Sequence, residues 1–332
     1  MTPSQWIHRL KPVLASGVAG LAALTLAASM PAHADTFPDG PVRIVVGSSP
    51  GGSTDAMARL IATSLSKKWG QSVIVENRDG AMNTIATEFV ARSKPDGKTL
   101  LMASPQHTQA PSQMTLKYDA VKSFAPISMT TTYPTYLVVN TDKVAAKSVA
   151  ELLAYAKANP GKLNYGTAGK GSGQYRNFQI LIKRAGIKMQ EITYTGGSPA
   201  MVALAGGEID LTFTPLSGIK GAADPAKLRV LGVTSAERSP SLPDVPPIAD
   251  GGLPGFDEFD WHGLLAPAGT PREVVKKIRD DVAEAMKDPK MAASIAALGL
   301  NARASTPEEF TAFVAADVPK WNAFFQELKN TK

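Results

Sequence analysis

Val42-Arg43-Ile44-Val45-Val46-Gly47-Ser48-Ser49-Pro50-Gly51-Gly52-Ser53-Thr54-Asp55 is the stretch whose reading sets the fold. An apolar, β-branched run breaks into a Gly/Ser turn. A helical pattern follows, with Met57, Leu60, Ile61 and Leu65 on its apolar side. A strand that runs through a small-residue loop into a helix leaves the first helical N–H groups without partners. Those groups and the helix dipole favour an anion. Gly47, Ser48, Ser49, Gly51, Gly52, Ser53 and Thr54 are therefore expected to cradle a negatively charged group, with no lysine or metal needed. An ordinary tight βα turn is the alternative reading.

Upstream of this stretch, His8, Arg9 and Lys11 form a basic start. Leu14–Ser29 is an apolar core too short for a comfortable membrane span. Ala32-His33-Ala34 supplies a small-x-small cleavage pattern. A signal peptide over residues 1–34 and a periplasmic mature protein are expected. The remaining chain of roughly 300 residues is enough for two domains with separate cores. The formal net charge of +6 includes Arg9 and Lys11, and no dense Lys/Arg run is present. Nucleic acid is therefore not the expected partner. The chain holds no cysteine, which excludes disulfides, cysteine nucleophiles and thiolate metal sites.

Downstream, strand-like and helix-like segments alternate. Strands are expected at Ser72–Glu76, Thr99–Ala103, Tyr136–Asn140, Leu163–Thr167, Glu191–Tyr194, Ile209–Thr214, Leu228–Thr234 and Trp261–Ala266. Three capping boxes open helices at Ser148-Val149-Ala150-Glu151, Thr270-Pro271-Arg272-Glu273 and Thr306-Pro307-Glu308-Glu309. This βαβ alternation argues for an α/β protein of two domains, each a mostly parallel sheet flanked by helices, with a cleft between them. The first domain is expected to comprise residues 35–137 and 259–332, and the second 138–258. Hinges are placed near Thr135–Asn140 and Phe256–Trp261.

A second small-residue loop, Thr167-Ala168-Gly169-Lys170-Gly171-Ser172-Gly173-Gln174, joins a strand to a helix. Gln174 stands where a dinucleotide fingerprint needs glycine, and Gly97-Lys98-Thr99 lacks the first glycine of a P-loop. What remains is a second set of backbone donors, with the Ser172 hydroxyl beside them. If the domains face each other, both loops can close on one anion.

A third loop, Thr195-Gly196-Gly197-Ser198-Pro199-Ala200, nearly matches a nucleophile elbow. It raises a rival reading, a serine hydrolase using Ser198 and His262 with Asp210 or Asp244. Pro199 opposes it by removing an amide that usually helps form the oxyanion hole. His107 follows a strand end that could meet the cleft. Only His107 and His262 remain beyond the leader, too few for a typical zinc site. No metal and no cofactor is expected.

At these loops the chain resembles the periplasmic solute receptors of the tripartite tricarboxylate transporters, the Bug receptors. The markers include Phe37-Pro38-x-x-Pro41-Val42-Arg43-Ile44-Val45-Val46, Gly51-Gly52-Ser53-Thr54-Asp55-x-x-Ala58-Arg59, Val75-Glu76-Asn77-Arg78, Gly206-Gly207-Glu208-Ile209-Asp210-Leu211, Pro243-Asp244-Val245-Pro246 and Ala266-Pro267-Ala268-Gly269-Thr270-Pro271. The match spans nearly all of the chain beyond the leader. The resemblance implies a hinged, two-domain "Venus flytrap" that is not an enzyme. It implies capture of a carboxylate by the loops at Gly47–Thr54 and Thr167–Gln174 and delivery to two integral membrane subunits. A monomer is expected. A ligand-presenting component of a sensor system is the other non-enzymatic alternative.

Compared with that family's usual residues, Gly47 and Ser48 are small, Lys170 replaces Asn, Thr195 replaces Lys, and Thr214-Pro215 replaces an acidic residue or Asn. Those departures imply a roomier pocket, a second carboxylate anchor at Lys170, and no site for a ligand ammonium. A dicarboxylate is expected, with an aromatic diacid such as terephthalate among the candidates.

Overall fold

The computed structural model describes residues 37–330, so the expected leader lies outside the described residues. The chain runs β1 (Val42–Val46), α1 (Ser53–Trp69), β2 (Val73–Asn77), α2 (Thr84–Ala91), β3 (Thr99–Ala103), α3 (Gln106–Gln109), β4 (Phe124–Tyr133) and β5 (Tyr136–Asn140). It continues with α4 (Val149–Ala158), β6 (Asn164–Thr167), α5 (Gly173–Ala185), β7 (Gln190–Thr193), α6 (Gly197–Gly206), β8 (Leu211–Thr214), α7 (Leu216–Lys220) and β9 (Leu228–Val233). It ends with β10 (Asp260–Pro267), α8 (Arg272–Ala285), α9 (Pro289–Ala297), β11 (Asn301–Ala302) and α10 (Pro307–Asn330).

Two sheets form, in the orders β11-β4-β10-β3-β1-β2 and β7-β6-β8-β5-β9. Each is mixed, which refines the expectation of mostly parallel sheets. The strands wound by helical crossovers pair in parallel: β2 with β1, β1 with β3, β7 with β6, and β6 with β8. The strands through which the chain changes sheets, β4 and β10 in the first and β5 and β9 in the second, pair antiparallel with their neighbours.

Around the first sheet, α1 buries Met57, Ile61 and Leu65 against Ile44, Val46, Leu100 and the α8 residues Val274, Ile278 and Val282. The opposite face holds Val45, Leu101, Trp261 and Leu265 against Phe310 and Val314 of α10. Trp261 is core, edge-on to Phe310 and Phe313. Around the second sheet, Leu137, Val139, Leu211 and Phe213 pack on Leu152 and Phe178. Trp321 and Phe325 of α10 belong to this same cluster. The 24-residue α10, about 36 Å long, thus contributes to the cores of both sheets.

The chain leaves the first sheet through Pro134-Thr135 and returns to it at Asp260. The two passages lie side by side. Thr234 N–H donates to the Thr135 carbonyl (2.9 Å), Glu258 N–H to the Thr234 carbonyl (2.9 Å), and Thr135 N–H to Thr234 Oγ1 (2.9 Å).

One of the three capping boxes forms in full and a second by half. Thr306 and Glu309 exchange side chain-to-amide bonds at 2.9 and 3.1 Å. Ser148 accepts from the Glu151 amide, while the Glu151 carboxylate reaches the Lys147 amide, one residue earlier than expected. The third does not form. Thr270 donates its hydroxyl to the Pro267 carbonyl at 2.8 Å, and α8 starts after Pro271 with no side-chain cap.

Candidate functional site

The loop between β1 and α1 is held from behind by Asp55. This buried carboxylate accepts from the Gly51 amide (3.0 Å), from Asn77 Nδ2 (2.9 Å) and from the Arg59 guanidinium through two bonds (2.9 and 3.0 Å). Burial alone would raise its pKa. The bonds from Arg59, Gly51 and Asn77 outweigh that and hold it down at about 2. Asn77 also donates to the Ser48 carbonyl, and Ser49 bonds Asp79. With the loop fixed in this way, the first amides of α1 remain without helical partners. The Ser48 hydroxyl is inaccessible and has no hydrogen-bond partner among the described residues. Asp55 was legible as part of the Gly51–Asp55 motif, but its role as the clamp was not.

The loop between β6 and α5 is largely self-satisfied. Ala168 N–H donates to Gln174 Oε1 (3.0 Å) and Gly169 N–H to Thr167 Oγ1 (3.0 Å). Thr167 in turn donates to Glu191 (2.6 Å), and Gln174 Nε2 to the Phe213 carbonyl (3.0 Å). Ser172 caps α5: its oxygen accepts from the Tyr175 amide (3.1 Å) and its proton goes to the Gly169 carbonyl (2.7 Å). Its proton is thus committed to the loop in this structure. Lys170 is exposed and makes no ion pair among the described residues. Gly171 lies against Met82, and its carbonyl is 3.5 Å from Gln106 Nε2.

A feature with no sequence signal stands between the two loops. Ala81, Met82 and Asn83 all have positive φ (47°, 55° and 66°), a conformation that costs a non-glycine residue roughly 1–2 kcal/mol. The turn aims Met82 at Gly171. It also sets Asn83 so close to Gly47 that a Cβ on Gly47 would lie 2.4 Å from that of Asn83. Gly47 was expected to free space for a ligand. Its small size instead makes room for Asn83, whose Nδ2 donates to Ser104 Oγ (3.1 Å), which donates to Gln106 Oε1 (2.8 Å). Gln106, rather than His107, is thus the residue after β3 that reaches the second loop. His107 is buried against Phe124, with Nε2 2.8 Å from the Ala120 carbonyl. Burial lowers its pKa to about 4 although that bond opposes the shift. In this structure its ring packs in the core.

Beside the loops lies a cavity of about 470 Å³ whose wall includes Gly51, Ser198, Met201, Val202, Thr214 and Pro215. It brings the first loop together with Thr214 and with the start of α6. No charged residue among the described residues lines it. Thr195 is exposed two residues before α6. Ser198 opens on this cavity, whereas His262 is fully buried with Nε2 facing Ser53. The hydrolase reading is corrected, because its base has another partner.

The family model described as the tripartite tricarboxylate transporter family receptor matches residues 57–330. Protein BugT of Bordetella pertussis is 31% identical over 313 residues, covering 93% of this chain and 96% of that protein. An R. palustris structure with adipate superposes with a TM-score of 0.78 at 30% identity, covering 87% of this chain and 97% of that one. MatC from Rhodopseudomonas palustris with bound malate gives 0.75 at 30% identity, covering 87% and 100%. The fold, the two βα loops and these likenesses agree, and the chain belongs to the tripartite tricarboxylate transporter receptor family, whose members bind solutes rather than transform them.

Proposed function

We propose that the protein is an exported periplasmic receptor that captures a dicarboxylate between its β1–α1 and β6–α5 loops and delivers it to two integral membrane subunits. The observation that carries this reading is the uncharged 470 Å³ cavity bordered by Gly51 of the first loop and by the start of α6. Its size suits a small ligand. Unpartnered first-turn amides offer donors to one carboxylate, and Met201, Val202 and Pro215 offer apolar walls to the spacer. The absence of an acidic wall residue disfavours an amino acid, whose ammonium would need one. The adipate and malate complexes of related proteins support a diacid. Residues 35–137 and 259–332 serve as one lobe and 138–258 as the other, closing about the paired passages at Thr135, Thr234 and Glu258. Lys170, exposed on the β6–α5 loop, supplies the distal anchor.

Competition calorimetry with terephthalate, adipate, citrate and glutamate tests the proposal. Adipate or terephthalate is expected to bind best. Citrate or glutamate outcompeting both would remove the ligand assignment. No diacid binding tighter than about 1 mM, near −4 kcal/mol, would remove the receptor assignment.

A further inference from the structure

Ser53 opens α1 and His262 lies on β10, yet His262 Nε2 is 3.3 Å from Ser53 Oγ and Nδ1 is 2.8 Å from Thr131 Oγ1. The imidazole is fully buried and stacks on the Tyr133 ring at 5.1 Å. Two hydroxyls and one imidazole therefore share three protons.

Burial keeps the imidazole neutral by lowering its pKa to about 3, so the ring carries a single N–H. The Thr131 hydroxyl is buried and has Nδ1 as its one acceptor among the described residues. A buried O–H left without an acceptor is costly, so Thr131 donates to Nδ1 and the ring proton sits on Nε2. That N–H donates to Ser53 Oγ. Ser53 Oγ is then an acceptor on the buried side and cannot give its proton to the ring. Its own proton turns to the open side, where the unpartnered amides of α1 stand.

We infer that His262 is a positioning residue that makes Ser53 an obligate hydrogen-bond donor into the cleft, selecting an acceptor such as carboxylate at that point. The selection rests on the receptor reading above, while the proton arrangement stands apart from it.

Two measurements test the inference. Nitrogen–proton correlation spectra of histidine-labelled protein are expected to show His262 as the Nε2–H tautomer, neutral between about pH 5 and 8. An Nδ1–H or doubly protonated ring would overturn the inference whether or not a ligand is known. Adipate affinity is then measured for the wild type, His262→Phe, His262→Gln, Ser53→Ala and the His262→Phe/Ser53→Ala double variant. His262→Phe should weaken binding about tenfold, His262→Gln should restore it by supplying a side-chain N–H, and His262→Phe should add nothing once Ser53 is alanine. An equal loss in both backgrounds would overturn the positioning role. Failure of adipate and every other diacid to bind the wild type would count against the receptor reading and leave the tautomer result to decide the proton arrangement.

Discussion

The Arg176 guanidinium lies 2.8 Å from the Asp260 carboxylate with both groups out of solvent, tying α5 to the residue where the chain re-enters the first sheet. Glu258 and Asp317 add to the field on Arg176, and Trp321 lies under its guanidinium at 5.3 Å. Neighbouring Asn177 donates to Thr135 Oγ1 at 2.8 Å, so one turn of α5 grips both passages. Asp260→Ala leaves a buried cation short of its partner and is expected to destabilise the protein by about 3–5 kcal/mol. Arg176→Met with Asp260→Leu should cost less than the sum of the single changes. Urea unfolding of Asp260→Ala, Arg176→Met, Asp260→Leu and the double variant checks this.

The Asp55 clamp carries a pH signature. Its folded pKa of about 2 lies below the ordinary carboxylate value, so its contribution is fully present above about pH 4 and is lost as pH falls through about 2. Wild-type stability should drop over that window, with Asp55→Asn dropping less steeply. At pH 7 the variant should be weaker by about 1–3 kcal/mol, the cost of losing charged hydrogen bonds. Urea midpoints measured across the acid range read out both effects.

Gly47→Ala would drive a methyl into Asn83 and should destabilise by about 1–3 kcal/mol. Asn83→Gly removes the obstacle and one of three positive-φ side chains. The double variant should therefore be more stable than additivity predicts. Thermal unfolding of the three proteins gives the coupling.

Ser172→Ala removes the α5 cap and is expected to cost about 1 kcal/mol of stability. Ligand affinity should fall only as far as loop order falls. A large affinity loss at unchanged stability would instead place the hydroxyl on the ligand.

Much of the fold was legible because burial follows period. The α1 stripe of Met57, Ile61 and Leu65 and the apolar strands β1, β3 and β5 declare themselves. β4 did not. Its Ser128, Thr130 and Thr131 are buried by bonding Ser305, the His262 carbonyl and the His262 ring, so a strand inside the sheet shows no hydrophobic alternation. The loops of the site were legible as glycine-rich βα turns. Which of their protons are already spent was not, because Ser172, Gln174 and Thr167 turn inward to partners far along the chain or within the loop itself. The Ala81–Asn83 turn gave no signal, since no glycine marks its positive φ angles.

The position of α10 bears on how the protein is made. Trp321 and Phe325 complete a core whose other members come from residues 137–256. During synthesis that middle portion is finished long before the two aromatic rings exist. Its core is not complete until the turns of α10 that carry them have been made. Structure in the middle of the sequence is thereby tied to a helix made much later, and a chain cut before Trp321 would leave the second sheet without two of its buried aromatic rings.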